Sequence, residues 1–374
     1  MIICLFNRVY HYMLLRHFRK ACFRACSANK NIEEGERMKR MVIVMAALCW
    51  LVAASAWGAG QRAGIVTLEV DLSAQAAGKE AKLWIPYPTS DLNQTVNDIK
   101  VTGNFASSGV YTDLTHGTPM LYAEWPREAA SRKLVFSFRV ERKEIAQRNL
   151  PDREPQWNRS DYAEYLQPTS RGPLDGEVRK LADGITRDKS TNLQKAKAIY
   201  DWTVENMFRD PNTKGCGQGN VCELLRKPGG KCTDISSVFI ALCRASGVPA
   251  REKFGIRLGK KAEEDITTYQ HCWAEFFIPG FGWMTADPAD VRKAMLVEKL
   301  ELNSPKTKEY RSYFWGGIDA YRVVLARGRD LKLNPPQAGA PLNTFGYPYA
   351  EVDGKPVDFY DPKTFTYRYI FKEM

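Results

Sequence analysis

Three residues of the 374-residue chain could together carry out acyl transfer: Cys232, His271 and Asp287. Cys232 follows Gly229-Gly230-Lys231 and precedes Ile235, Val238, Phe239 and Leu242, which repeat at helical spacing. It therefore falls at a helix N-terminus, where unpaired N–H groups and the helix dipole favour a thiolate. Gly247 and Pro249 end that helix. A cysteine so placed is either a nucleophile awaiting a base or an ordinary buried thiol. His271 lies on a strand expected over Tyr269 to Ile278. Pro279-Gly280-Phe281-Gly282 follows as a turn, and Trp283 to Asp287 as the returning strand. A turn centred near Pro279–Gly280 sets Asp287 across from His271. A centre one residue later pairs Asp287 with Trp273 but keeps the face, because side chains repeat every two residues. His116 and His271 are the only histidines beyond residue 58. His116 sits in the turn cluster Thr115-His116-Gly117, where a solvated imidazole is expected. His271 is thus the sole candidate base for Cys232, and Asp287 the group that would hold its tautomer. The bland alternative is a strand histidine salt-bridged to an aspartate.

The surrounding elements set the frame for these residues. Val66, Leu68, Val70 and Leu72 alternate with more polar neighbours, as do Leu83, Ile85 and Tyr87, then Leu121, Ala123 and Trp125, and Leu134, Phe136, Phe138 and Val140. Period two means strands with one buried face, and several short strands predict a small antiparallel sandwich over 62–145. The proline-bearing stretch 146–170 reads as a linker or a loop wrapped over the next domain. Leu174, Val178, Leu181 and Ile185 mark a helix. Thr191 with Gln194 forms a capping box that opens another. The mixed helices and strands of 171–330 form a second domain that carries all three residues. A turn-rich segment, 331–374, follows and ends on the alternating Phe365, Tyr367, Tyr369 and Phe371. It is expected to pack on that second domain.

Lys39-Arg40, the uncharged run Met41 to Ala54 and the small-x-small site Ala54-Ser55-Ala56 read as an export signal over 38–58. Residues 1–37 precede it oddly, and translation is expected to start at Met38. The implied location is periplasmic or secreted, with membrane contact only through the signal before cleavage. Overall net charge is +11, but nine of the 54 Lys/Arg and three of the 43 Asp/Glu lie in residues 1–58, and the remainder carries +5. No basic stripe with interleaved aromatics remains, so a nucleic-acid partner is excluded. The glycine-rich loop Gly215-Cys216-Gly217-Gln218-Gly219-Asn220 lacks the phosphate-binding form. No cofactor is called for, and no cysteine spacing marks a metal site.

Gly230-Lys231-Cys232-Thr233-Asp234, with its apolar helix ending Ala245-Ser246-Gly247-Val248-Pro249-Ala250-Arg251, resembles the core of the transglutaminase-like superfamily. So do His271-Cys272-Trp273-Ala274-Glu275-Phe276 and Gly282-Trp283-Met284-Thr285-Ala286-Asp287-Pro288. The resemblance covers about 195–290. It is greatest to secreted bacterial members of cysteine-peptidase type with an N-terminal β domain. It implies an α+β fold: a papain-like core, helices packed on an antiparallel sheet, preceded by the all-β sandwich. It also implies a triad of Cys232, His271 and Asp287. By the same alignment Gln218 stands where family members carry a tryptophan, which makes it an oxyanion-hole candidate beside the Cys232 amide; the alternative is a plain loop residue. The implied activity is that of a thiol enzyme acting on amide bonds of a protein or peptide, a cell-wall peptide among the options. Water as acceptor would make it a peptidase or amidase, and an amine a transglutaminase. Hydrolysis is the favoured reading. A non-catalytic binding or scaffold protein is the rival. Acyl transfer from a thioester cofactor, as in the similar arylamine N-acetyltransferases, fits poorly with export.

Five cysteines lie beyond the signal: 216, 222, 232, 243 and 272. An odd count leaves one thiol free. Cys216 and Cys222 bracket the glycine-rich loop and could pair in an oxidising compartment or stay reduced.

Overall fold

The computed structural model describes residues 60–374 apart from Asp152. The segment read as upstream extension and export signal, 1–58, lies outside the described residues. Among the described residues no helix is long and apolar enough to cross a membrane.

The chain begins with β1 (Gln61–Asp71), β2 (Ala81–Pro86), β3 (Gln94–Gly103), β4 (Ser107–Thr112), β5 (Pro119–Trp125), β6 (Lys133–Lys143) and β7 (Ile145–Ala146). A 3-10 helix (Arg159–Leu166) leads to α1 (Gly176–Thr186), α2 (Asn192–Asn206), α3 (Val221–Arg226) and α4 (Cys232–Ala245). Next come β8 (Ala250–Arg257), β9 (Glu263–Asp265), β10 (Gln270–Ile278) and β11 (Gly282–Ala286). Then follow α5 (Pro288–Glu298), α6 (Pro305–Tyr313), β12 (Gly317–Ile318) and β13 (Arg322–Arg327). The chain closes with β14 (Tyr349–Val352), β15 (Lys355–Pro356) and β16 (Thr366–Glu373).

Two five-stranded sheets, β3-β6-β1-β16-β9 and β15-β14-β2-β5-β4, form the sandwich. Their alternating residues meet in one core: Val66, Leu68, Phe136 and Phe138 from the first sheet against Leu83, Ile85, Leu121 and Ala123 from the second. The inner strands of the second sheet, β14, β2 and β5, are buried on both faces. Their opposite residues, Trp84, Met120 and Tyr122, join the core built by Val238, Phe239 and Leu242 of α4. A sheet covered on both sides needs apolar residues at consecutive positions, which β2 (Leu83-Trp84-Ile85) and β5 (Met120-Leu121-Tyr122-Ala123) supply. Helix α4 is buried along its whole length. It packs between the other helices and the four-stranded antiparallel sheet β11-β10-β8-β13.

The division expected from the sequence differs from this arrangement in its last segment. The segment 331–374 is shared between the two cores. Leu331, Leu333 and Phe345 do lie against the α4 core, but β14 and β16 are strands of the two sandwich sheets. β16 pairs with β1 in the register Leu68↔Tyr369, Val66↔Phe371. Alternation reveals a strand but not its partner, which here lies about 300 residues away. Of the two readings of 146–170, the structure shows the wrapped loop: Glu154 accepts N–H bonds from Asn192 (2.8 Å) and Leu193 (2.7 Å) at the start of α2. Residues 60–374 accordingly form one compact unit. Helices α5 and α6 were not anticipated, although each opens on proline behind a side-chain cap, Asp287 and Ser304. His116 is not solvated; its Nδ1 lies 2.6 Å from Glu164 Oε1 and its Nε2 2.9 Å from the Arg329 carbonyl. The Thr191–Gln194 capping box forms as read.

Candidate active site

Cys232 is the first residue of α4, and its position depends on Asp234. That carboxylate accepts backbone N–H bonds from Lys231 (3.0 Å), Gln218 (2.9 Å) and Gly219 (2.7 Å). It thereby ties the glycine-rich loop to the helix start. Gly217 must be glycine here: its φ is +93°, and a Cβ would sit 1.8 Å from Asp234 Oδ2. Thr233 N donates to Cys216 O at 2.9 Å, which fixes Cys216 beside the nucleophile position. First-turn amides have no acceptor within the helix, and the Cys232 N–H has none among the described residues. We expect Asp234→Ala to lower the unfolding free energy by about 3 kcal/mol, because three amides lose a charged acceptor. Urea denaturation measures it, and a change below 1 kcal/mol would contradict this account.

The Sγ atoms of Cys216, Cys232 and Cys272 lie within 4.8 Å of one another. Thiol hydrogen bonds from Cys216 and then Cys272 hold Cys232 well below the usual thiol range against its burial, and its contact with His271 adds to the effect. Cys216 is pushed up, chiefly by its bond to Cys232, and Cys272 chiefly by burial. Tyr347 donates to Cys216 Sγ at 3.2 Å, and Thr233 Oγ1 lies 3.1 Å from Cys272 Sγ. Cys216 and Cys222 are therefore both free thiols rather than a pair. The three sulfurs could share a thiophilic cation, a grouping that their distant places in the sequence hide.

His271 sits on β10 and is buried, 4% exposed. Its Nε2 lies 2.7 Å from Asp287 Oδ2, which leaves Nδ1 for the thiol. The register Ala274↔Ala286 and Ile278↔Gly282 puts Asp287 in line with Trp273, the later of the two turn centrings. Asp287 is one residue past β11 and caps α5, its Oδ1 accepting from Asp290 N at 2.9 Å. Strand end and helix start thus fix the carboxylate jointly.

Arg322 was not among the residues picked out from the sequence. Fully buried on β13, it donates through Nη1 to Asp287 Oδ2, through Nη2 to Asp290 Oδ2 (2.5 Å) and through Nε to Asp319 Oδ2 (3.0 Å). Nη1 also lies 3.3 Å from His271 Nε2. Burial opposes the charge, but Asp290, Asp287 and Asp319 together push the guanidinium up. Asp290 is buried as well, yet Arg257 and Arg322 hold its carboxyl well below the usual range. His271, Asp287 and Asp290 also place donor atoms within 4.8 Å of one another. Arg322 and Arg257 already neutralise that cluster, so it is an ion-pair network in composition, not a cation cage. The available signal was an arginine opening the apolar run Arg322-Val323-Val324-Leu325, a charge that must find partners if the strand is buried.

Gln218 is not brought to the thiol. The bonds of residues 217–219 to Asp234 turn its side chain outward, where Oε1 accepts from Arg171 Nη1 at 2.6 Å and the residue is exposed. Gln270, beside His271, instead faces the cleft. Two cavities flank the site, of about 460 Å³ on the Cys232 side and about 690 Å³ on the His271 side, and Arg209, Thr268 and Gln270 form the wall they share.

Comparison with known proteins bears on what such a site belongs to. Residues 179–288 match the model of the transglutaminase-like superfamily. An uncharacterised protein of Haemophilus influenzae is 37% identical over 321 residues, 79% of this chain and 87% of that one. The Bacillus subtilis protein YebA is 29% identical over 129 residues, 31% of this chain and 18% of its own length. Among solved structures, a Cytophaga hutchinsonii protein provisionally described as a cysteine protease superposes with a TM-score of 0.50 at 18% identity, covering 84% of this chain and 98% of its own. That likeness concerns the fold. The periplasmic domain of TgpA from Pseudomonas aeruginosa matches at a TM-score of 0.33 and 15% identity, over 63% of this chain and 88% of that domain, which is too distant to add weight. With the family match falling on the segment that carries Cys232, His271 and Asp287, and 37% identity to a relative over 87% of that relative's length, the chain belongs to the transglutaminase-like superfamily.

Proposed function

We propose that this protein is an exported thiol hydrolase that cleaves amide bonds of peptides through a Cys232–His271–Asp287 triad. One observation carries the reading: a thiol held well below its usual range at a helix start, in reach of a buried histidine whose far nitrogen lies 2.7 Å from an aspartate. Cys232 Sγ, its proton already passed to His271 Nδ1, attacks the amide carbonyl carbon as the thiolate. The unpartnered Cys232 N–H faces the developing oxyanion. Asp287 holds the ring so that Nδ1 is the working nitrogen. Collapse of the tetrahedral species breaks the C–N bond, and His271 returns the proton to the departing amine. A thioester remains on Cys232. Water, deprotonated by His271, then attacks the thioester carbonyl and releases the acid and the thiol. Export rests on the signal read over 38–58, which fits a periplasmic or secreted peptide substrate.

The test is product analysis in H2 18O. The mature protein is incubated with a defined peptide mixture, and the products and the quenched enzyme are weighed by mass spectrometry. New carboxyl termini carrying 18O and an acyl adduct on the Cys232 peptide are expected. Amine adducts without 18O would reassign the acceptor. No adduct and no turnover would overturn the enzyme reading.

A further inference from the structure

The cleft carries more positive charge than the fold can pair. Arg209, Lys231, Lys260 and Lys293 line its two cavities. None has a salt bridge or a side-chain hydrogen bond to a carboxylate among the described residues. Arg209 Nη1 and Gln270 Nε2, both in the shared wall, are buried without any hydrogen-bond partner among the described residues. Buried donors are usually completed by a protein group, by water or by a bound ion. Arg209 is also tied to the nucleophile loop: its backbone bridges Gly230, with Asp210 N donating to Gly230 O at 2.9 Å and Gly230 N to Phe208 O at 3.1 Å.

Two acids face the same space, and both are already engaged. Glu264 accepts from Tyr269 Oη (2.8 Å) and Lys260 N (2.7 Å). Asp319 is held by Arg322 at 3.0 Å and by Arg257 at 3.8 Å. Asp290 and Cys232 act on Lys293, but neither Glu264 nor Asp319 pairs with Arg209, Lys231 or the Lys260 ammonium. Like charges gathered round a half-enclosed cleft repel one another and pay desolvation, a cost that an anion entering the cleft would reverse.

We propose that the substrate is an acidic peptide whose carboxylate, flanking the scissile amide, is received by Arg209 and Gln270 in the shared wall with Lys293 and Lys231 on either side. This rests on the thiol-hydrolase reading and names the substrate class for that site. A carboxylate there lies against the Arg209 guanidinium and stands between the Cys232 and His271 sides of the cleft.

Iodoacetate and iodoacetamide test this, since they deliver the same alkyl group with and without a carboxylate. Second-order rates at Cys232 are read by peptide mass mapping, with N-acetylcysteine as reference thiol. Taking the ratio of the two rates cancels any change in thiolate fraction. In wild type the iodoacetate-to-iodoacetamide ratio should exceed that of N-acetylcysteine at least tenfold in low salt, and fall as ionic strength rises. Arg209→Gln and Lys293→Met should each lower it roughly fivefold, as expected for one unit charge within a few ångströms in a partly screened cleft. Lys189→Gln, an exposed charge in the α1–α2 connection, should leave the ratio as it is. The proposal is overturned if the ratio matches N-acetylcysteine, or if it is high but indifferent to both cleft variants, since the imidazolium alone would then account for it. Alkylation of Cys232 by neither reagent would overturn the hydrolase reading itself, and this proposal with it.

Discussion

Cys232→Ser should reduce turnover on the order of 10⁴-fold or more, as removal of a nucleophile does in enzymes of triad type, and abolish alkylation at this position. The two side chains differ little in size, so the change in packing alone should cost less than about 1 kcal/mol. The loss comes from charge. Cys216, Cys272 and His271 all favour a thiolate at this point, and a serine hydroxyl does not ionise near neutral pH, so the same neighbours would have no anion to stabilise. The pH dependence has a definite sign. Because the folded thiol is lowered, wild-type Cys232 should still react with iodoacetamide below the ordinary thiol range near about 8.5, and reactivity should fade only as pH drops through the folded value. The stability linked to this ionisation is fully present above the ordinary value and is lost on the same descent. Stopped labelling followed by peptide mapping gives the profile. A midpoint at the ordinary thiol value would refute the assignment.

Arg322→Met should cost about 3–5 kcal/mol of stability, because it strands buried carboxylates that share one cation. Asp287, Asp290 and Asp319 all bond to that guanidinium, and only Asp290 and Asp319 have a second arginine, Arg257. The expected pH behaviour separates this from a simple packing defect. In wild type, Asp290 is held well below its usual range by Arg257 and Arg322 despite burial. Its contribution is therefore present above the ordinary carboxylate value and lost as pH falls through the folded one. Without Arg322 the cluster takes up protons at higher pH, so the gap between variant and wild type should narrow between pH 7 and pH 4. Urea denaturation at the two pH values measures it. A pH-independent gap would show that lost packing, not charge, is responsible. Arg322→Lys keeps a charge but not the three-way fork, so it should restore only part of the stability.

Much of the site was legible because its signals are local. Gly229-Gly230 before Cys232 and the apolar repeat after it announce a helix start within a dozen residues. The hairpin from His271 to Asp287 is set by one turn, so face and near-register follow from period two. What stayed hidden depends on pairing between distant segments. Arg322 reaches Asp287 only because β13 joins β8, with Arg322↔Arg257 in register. Cys216 reaches Cys232 only because Asp234 gathers the glycine-rich loop onto the helix start. The error over Gln218 has the same origin: alignment placed it by count along the chain, whereas the loop's hydrogen bonds turn its side chain outward and present Cys216 instead. In the fold, alternation identified the strands around Leu68 and Phe136 but gave no sign that Tyr369 would lie beside Leu68.

That last pairing has a consequence for timing. The cavity on the Cys232 side is walled by Tyr347, Phe359, Tyr360, Phe365 and Tyr367, all more than 110 residues after Cys232, and β16 lies between β1 and β9 within its sheet. A nascent chain that already contains Cys232, His271 and Asp287 still lacks one wall of its cleft and an interior strand of its sandwich. Contacts between segments far apart in sequence are slow to form, so the wall beside Cys232 is completed only when β16 pairs with β1 and β9.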